Sequence, residues 1–274
     1  MRRADLSRPT LAPAGVVFEG DGPFHTTDYA PAQGLERFIH GYWTLSWDLP
    51  AGEAFPLRVI PSGCINILIQ EHTSRVAGVR RKIYEFTLKE NGDIFGVLFK
   101  PGAFRLFSSA QLSELTDRAA PIREIFGDDG QALERRIFST PLERDRQEIA
   151  DRFFLDRLPP EDPAFSTVEK AVGWILEDPQ IRKVDDIVSK CALGKRTLQR
   201  LFDEYLGINP KWMIQTARFQ EAVKTLGLGA GTNWAEFALS LGYYDQSHFI
   251  NDFKAIIGYA PDAASSRLKT EISR

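Results

Sequence analysis

A chain of 274 residues that is 43% hydrophobic and 26% charged can build the packed core of one large or two ordinary domains, which excludes global disorder. No apolar run approaches the ~20 residues that span a bilayer. The arginines of "MRRADLSRPTLAPAG" are followed by no apolar stretch, so no signal peptide is expected and the protein is expected in the cytoplasm, with no membrane partner. The net charge is −3, divided unevenly: residues 166–274 carry 14 Lys/Arg against 13 Asp/Glu, and residues 1–165 carry 20 against 24. That asymmetry has the sign of a nucleic-acid-binding C-terminal half, but it is too small to argue one.

Residues 1 to about 30 are rich in Pro, Gly and small residues and read as an irregular arm. A short helix is expected from Ala32 to His40. Short runs rich in β-branched and aromatic residues follow: "YWTLSWDL", "LRVIP", "CINILIQ", "KIYEFTL" and "DIFGVLFK". With turn-formers such as "PSG" and "ENGD" between some of them, they predict a β-rich sheet or barrel over about 42–100. Helical pieces continue through "KPGAFRLFSS", "SELTD", "PIREIFG" and "GQALERRIFS" to the amphipathic "PLERDRQEIADRFFLDRL". This last helix, 141–157, is expected either to pack on the sheet or to make a dimer or interdomain contact. The acidic, proline-rich "PPEDPA" at 159–164 marks a domain boundary. Two domains are therefore expected, 1–160 and 165–268, and an α+β chain: a β-rich first half with flanking helices, then an all-α half.

The second half begins with "FSTVEKAVGWILED", where Ser166 and Glu169 have the spacing of a capping box. Beyond it, two segments match at an offset of 51: "TLQRLFDEYLGINP" (197–210) and "HFINDFKAIIGYAP" (248–261). Leu198, Phe202 and Leu206, and likewise Phe249, Phe253 and Ile257, recur at i, i+4 and i+8, which lays them on one helix face. Gly207 and Gly258 suit the left-handed residue that ends a helix, and Pro210 and Pro261 suit the start of the next. Shorter helices lead into each copy, "VDDIVSKCAL" and "NWAEFALSLGY", the latter with Asn233 and Glu236 as a cap pair. A short helix, a tight turn and a second helix make a helix-turn-helix unit. "PKWMIQTARFQEAVKTLGL" is a helix between the two units, ended by Gly227.

Two such units on a connecting helix resemble the AraC/XylS family of transcription regulators. The likeness covers about 165–268 and is carried by "KRTLQRLF…LG..P", the connecting helix and "A…LGY.DQSHF...FK..IG..P" in family order and spacing. There are departures in the first unit. Ala192 stands where the family has glycine in the turn, Gly194 replaces a serine cap, and Lys183 replaces a capping Ser/Thr, at ~0.5–2 kcal/mol if nothing substitutes for it. Upstream, "RVIPSGCINILI", "GVLFKPGAFRLF" and "LSELTDRAAPI" resemble an uncharacterised, cupin-like sensor domain found ahead of this module.

The resemblance implies double-stranded DNA as partner, with RNA polymerase as a second if the protein activates. A small-molecule effector and a homodimer stay open. In a helix-turn-helix the start of the second helix enters the major groove. In the first unit Leu198, Leu201, Phe202 and Tyr205 face inward, which leaves Lys195, Arg196, Gln199 and Arg200 outward. In the second, Phe249, Phe253 and Ile256 face inward and Gln246, Ser247, His248 and Asn251 outward. Arg suits guanine, and Gln and Asn suit adenine. By resemblance, Arg196, Gln199, Arg200, Gln246, Ser247 and Asn251 occupy base-reading positions. Lys195, Lys211 and Lys254 are phosphate candidates, and Asp245 is read as a helix cap rather than a contact. The cationic first copy is expected to bind harder, with a preference for G, and the second to tune.

The first half offers less chemistry. Its histidines, His25, His40 and His72, form no HxH pair, and no GxSxG, P-loop or GxGxxG appears. No enzyme, metal or cofactor is therefore expected, the competing reading being an enzymatic or protein-binding first half beside a vestigial DNA module. Cys64 and Cys191 lack a CxxC partner and read as buried reduced thiols. Trp43, Trp47, Tyr84 and Phe86 could line a ligand pocket, although aromatic residues in strands are more often core. "KPGAF" is expected to turn into a helix N-terminus, a weak candidate for anion binding.

Overall fold

The computed structural model describes residues 16–17, 22–226, 233–240, 243–257 and 260–261. Its first part is antiparallel β. Strands β1 (Val16–Val17), β4 (Ala54–Val59) and β7 (Tyr84–Lys89) form a three-stranded sheet in the order β1-β4-β7. The larger sheet joins β2 (Phe24–Tyr29), β3 (Ile39–Asp48), β5 (Asn66–Ile69), β6 (Arg75–Ala77), β8 (Asn91–Phe99) and β9 (Ala119–Pro121) in the order β2-β3-β8-β5-β6-β9.

β3 is packed on both faces. Leu45 and Trp47 meet Leu57 of β4, Leu88 of β7 and Ile94 of β8 between the sheets. Here two tryptophans each lie over a glycine on the neighbouring strand, since Trp43 pairs with Gly96 and Trp47 with Gly92. A Cβ at Gly96 would stand 2.0 Å from the Trp43 ring, and one at Gly92 would stand 2.1 Å from the Trp47 ring. Trp47 and Phe86 meet edge to face at 6.3 Å. These two of the four aromatic residues considered for a pocket are therefore core. Tyr84 lies at the surface under the Arg80 guanidinium, 4.7 Å from its ring centre.

On the other face of β3, Tyr42 and Thr44 point at α3 (Glu143–Leu155). The Tyr42 hydroxyl donates to buried Asp151 at 2.8 Å, the Tyr29 hydroxyl donates to Glu143 at 2.6 Å, and Arg146 pairs with Asp93. Burial, with Glu143 beside it, pushes the Tyr29 hydroxyl up to about 12. α3 thus packs on its own sheet, and Arg144, Asp145, Glu148 and Arg152 face solvent.

Several local expectations are corrected. Residues 33–38 are turns rather than a helix, and β3 begins at Ile39. β2 lies within the stretch read as an irregular arm, and β6 and β9 were not anticipated. β2 is an edge strand with its side chains half outward, so it lacks the apolar signature of a central strand. The helix after "KPG" is a single four-residue 3-10 turn, Ala103–Leu106, with Ala103 and Phe104 buried, which leaves no anion site. α1 (Leu112–Leu115) is also short, and α2 (Ile122–Phe138) bends at Gly127.

The helical half comprises α4 (Pro163–Glu177), α5 (Val184–Cys191), α6 (Lys195–Leu206), α7 (Pro210–Leu226), α8 (Trp234–Ser240) and α9 (Gln246–Ile257). α4 starts four residues earlier than the Ser166 capping box predicts. Asp162 is its cap, accepting from the backbone N–H of Ala164 at 2.8 Å and of Phe165 at 3.2 Å. Ser166 instead lies inside the helix, where its hydroxyl accepts from Arg37. Proline at the first helical position explains the early start, because it needs no N–H partner there.

One apolar core runs from the sheet into this half. It joins Leu35, Phe99, Phe104 and Leu112 to Phe165, Leu198, Phe202, Tyr205 and Met213. A smaller cluster holds Phe219, Trp234, Phe237, Phe249 and Phe253, with Ile60 of the β half inserted.

Candidate nucleic-acid interface

The first helix-turn-helix unit is α5 and α6. Lys183 precedes α5 without a capping hydroxyl, but the Asp186 carboxylate accepts from the N–H groups of Lys183 and Arg182, each at 2.9 Å. The missing cap is thus replaced from within the first turn. Ala192 then adopts the left-handed conformation, φ 52° and ψ 35°, that the turn demands. A side chain there costs about 1–2 kcal/mol relative to glycine. Gly194 starts α6 with no side-chain cap.

α6 seats Leu198, Leu201, Phe202 and Tyr205 in the large core and leaves Lys195, Arg196, Gln199 and Arg200 exposed, as the helical spacing predicts. Arg200 is 3.1 Å from Glu204 one turn on, and Lys195 is 3.4 Å from Asp185. These exposed pairs are weak and exchange readily for phosphate or a base edge. Gly207 ends the helix at φ 71°, and its N–H donates to the Asp203 carbonyl at 2.9 Å. It does more than stop the helix. A Cβ there would stand 2.4 Å from the Leu112 carbonyl oxygen, and its own carbonyl accepts from Thr116 at 2.7 Å. The C-terminal end of α6 is thereby fixed onto α1.

Beneath α6, the Tyr205 hydroxyl donates to Asp162 at 2.5 Å. Burial works against the Asp162 charge. The hydrogen bonds from Tyr205 and from the backbone of Phe165 and Ala164 outweigh it and hold the carboxyl below its ordinary value.

α8 and α9 make the second unit. Asn233 caps α8, accepting from Ala235 at 3.2 Å and Glu236 at 3.4 Å. Asp245 caps α9, accepting from the His248 N–H at 2.8 Å, as its sequence position implies. Phe249 and Phe253 are buried, and Gln246, Ser247, His248, Asn251 and Lys254 are exposed. Ile256 and Ile257, expected on the inward face, have side chains outside the described residues, as do Gly227 and Gly258, the expected helix stops. Lys211, at the start of α7, is exposed.

His248 differs from its neighbours. It is 3.9 Å from Asp252, which accepts from Gln215 of α7 at 3.0 Å, and its ring meets Tyr243 edge to face at 5.3 Å. Arg218 of α7 lies over the same Tyr243 ring, 5.0 Å from its centre. His248 is thus partly engaged within its own unit. One residue was missed in the sequence: Tyr244, just before the Asp245 cap, is 90% exposed.

Both cysteines, Cys64 in the β half and Cys191 at the end of α5, are free and half-buried rather than fully buried, and desolvation pushes the Cys64 thiol up to about 11. Among the described residues no group of His, Cys, Asp or Glu is arranged to hold a metal ion, and no helix is long and apolar enough to cross a membrane.

Comparison with known proteins gives two family matches. Residues 27–121 match a domain of unknown function, DUF6597, and residues 187–267 match a helix-turn-helix domain. An uncharacterized HTH-type transcriptional regulator of Escherichia coli K12, YidL, is 33% identical over 103 residues, 37% of this chain. The chain covers about a third, 34%, of that relative's length. Among solved structures, ToxT from Vibrio cholerae has 15% identity and a TM-score of 0.38 over 89% of this chain and 98% of its own. ToxT of strain O395 has 15% identity and a TM-score of 0.37 over 90% and 98%. These last two likenesses are too distant to carry an argument. The match over 187–267 spans most of the two units built by α5–α6 and α8–α9, so the C-terminal part of this chain is similar to a helix-turn-helix domain.

Proposed function

We propose that the protein is a sequence-specific, DNA-binding transcription regulator of the cytoplasm that inserts α6 and α9 into successive major grooves. The observation that carries the reading is the repeated design of the two helices. Each is anchored by a buried Phe pair or Leu–Phe pair and presents its N-terminal polar residues to solvent. Recognition helices in one duplex face read grooves about one turn, ~34 Å, apart, so one chain can cover both. Arg196, Gln199 and Arg200 on α6, and Gln246, Ser247 and Asn251 on α9, are assigned to bases. Lys195, Lys211 and Lys254 are assigned to phosphates, and His248 to an adaptable contact at the α9 edge. Residues 165–268 form the DNA-binding domain, and residues 1–160 form a domain that senses a small molecule or partner.

Selection from a random oligonucleotide pool, followed by gel shift at low salt, tests this. The expected product is a bipartite motif with a G-containing half for α6. Binding without sequence preference overturns the reading. Arg200→Ala and Asn251→Ala are expected to relax the motif in different halves, and an unchanged motif in both variants refutes the assignment of the helix faces.

A further inference from the structure

The three-stranded sheet covers only one end of the larger one. Phe55 of β4 lies against Phe24 of β2, with ring centres 5.7 Å apart, and Phe86 of β7 lies against Trp47. Toward their other end β2 and β3 carry Asp28, Gly41 and Trp43 on the same face. A cleft of about 190 Å³ lies there. Its position follows from register. Asp28 pairs with Trp43, and Gly41 pairs with Leu98, so these positions share one face, and Gly41 puts no side chain between them. Leu98 and the Gly41 backbone make the floor, Trp43 a wall, and Asp28, Ala30 and His40 the rim. Trp43 cannot swing into the gap easily. Its ring is held over Gly96, and its indole N–H donates to Asn66 at 3.2 Å.

Three charged or titratable groups act here. The Asp28 side chain makes no hydrogen bond among the described residues, and partial desolvation, only partly offset by His40, raises its carboxyl. His40 is lowered by burial and then by Lys100, with Asp28 opposing, which leaves its ring neutral at pH 7. Lys100 acts on His40 and is not among the groups acting on Asp28. The cleft therefore has one anionic end at Asp28 beside an aromatic wall, and a neutral donor–acceptor at the other.

We propose that this cleft binds a small molecule bearing an amine, with the ammonium on Asp28 and the apolar body against Trp43. A carboxylate without a hydrogen-bond partner beside an indole is the chemistry that selects an ammonium, through an ion pair and the ring face together. This specifies the ligand class of the sensing domain proposed above.

Isothermal titration of the full chain, without DNA, tests it with 2-phenylethylamine and 3-phenylpropanoate, which share an apolar body and differ in charge. Saturable binding of the amine and none of the carboxylate is expected. Asp28→Asn should weaken the amine by about tenfold or more, and Ala30→Trp, which fills the rim, should abolish binding. Both side chains are exposed, and unchanged melting curves check that the variants fold. Equal binding of the two probes, no saturable amine binding, or amine binding unaltered by either substitution overturns the proposal. If a variant fails to fold, the contrast between the probes on the unaltered protein still decides. Because no DNA is present, failure here leaves the DNA-binding reading untouched, and failure of that reading leaves this one.

Discussion

The two helix-turn-helix units share a plan and differ in what they lean on. α6 is rooted in the same apolar core as the β half, through Phe202 and Leu198, and Gly207 pins its end to α1. α9 sits on a small aromatic cluster of its own, which among the described residues takes Ile60 and partly buried Ile83 from the β half. The outward chemistry divides the same way: Lys195, Arg196 and Arg200 on the rooted helix, and Gln246, Ser247, His248 and Asn251 on the other. The difference teaches that one repeated local pattern can be held by two kinds of support. The cationic helix is coupled to the first half of the chain, whereas the neutral one is close to an independent small domain.

Removing a core ring should give the largest contrast. Phe202→Ala is expected to cost about 3–5 kcal/mol and to lower the melting temperature of the whole chain in one transition. Phe249→Ala should cost its own cluster a similar amount, while the main transition stays nearly in place. Calorimetry with limited proteolysis separates the two. If both substitutions shift the same single transition equally, the distinction between the supports fails.

On DNA, Arg196→Ala and Arg200→Ala should each weaken specific binding by about 1–3 kcal/mol. Each should flatten the salt dependence by about one unit wherever the side chain also neutralises a phosphate. Gln246→Ala and Asn251→Ala should change the preferred sequence with the salt slope unaltered. Fluorescence anisotropy across a salt series reads both. Equal slopes for all four variants would erase the electrostatic contrast between the helices.

Asp162 links α4 to Tyr205 of α6 only, so its loss should act on the first unit. Asp162→Ala removes a helix cap and is expected to cost about 1 kcal/mol near neutral pH. Its folded carboxyl is lowered, so the stabilisation is complete above the unfolded value near 4 and is lost as pH falls through the folded one. Melting curves of the parent and variant should therefore converge in acid. A constant gap down to low pH contradicts this.

The smallest effect sharpens the comparison at the turn. Ala192→Gly relieves a left-handed alanine and should raise stability by about 0.5–1 kcal/mol, the strain relief being partly offset by the freer unfolded chain. A fall in melting temperature would show that the turn is not strained.

Much of the helical half was legible in the residues. The 51-residue offset, the i, i+4 and i+8 apolar positions and the end signals Gly207 and Pro210 are local, and local periodicity decides which face of a helix is buried. The exposed rows on α6 and α9 follow from that face alone, as does Asp245 as a cap. The central strands β3, β5 and β8 were readable for the same reason, since buried strands need continuous apolar or aromatic runs.

Tertiary structure decided the rest, wherever the cause lies far along the chain. β2 is polar and becomes a strand because β3 offers it a partner. Trp43 and Trp47 fit only because Gly96 and Gly92 face them from β8, and α3 is tied down by Tyr42 and Tyr29 more than 100 residues earlier. Whether Tyr244 is inside or out, and whether an aspartate is left without a partner beside an indole, depends on the register and packing of distant segments. No window of sequence contains those contacts.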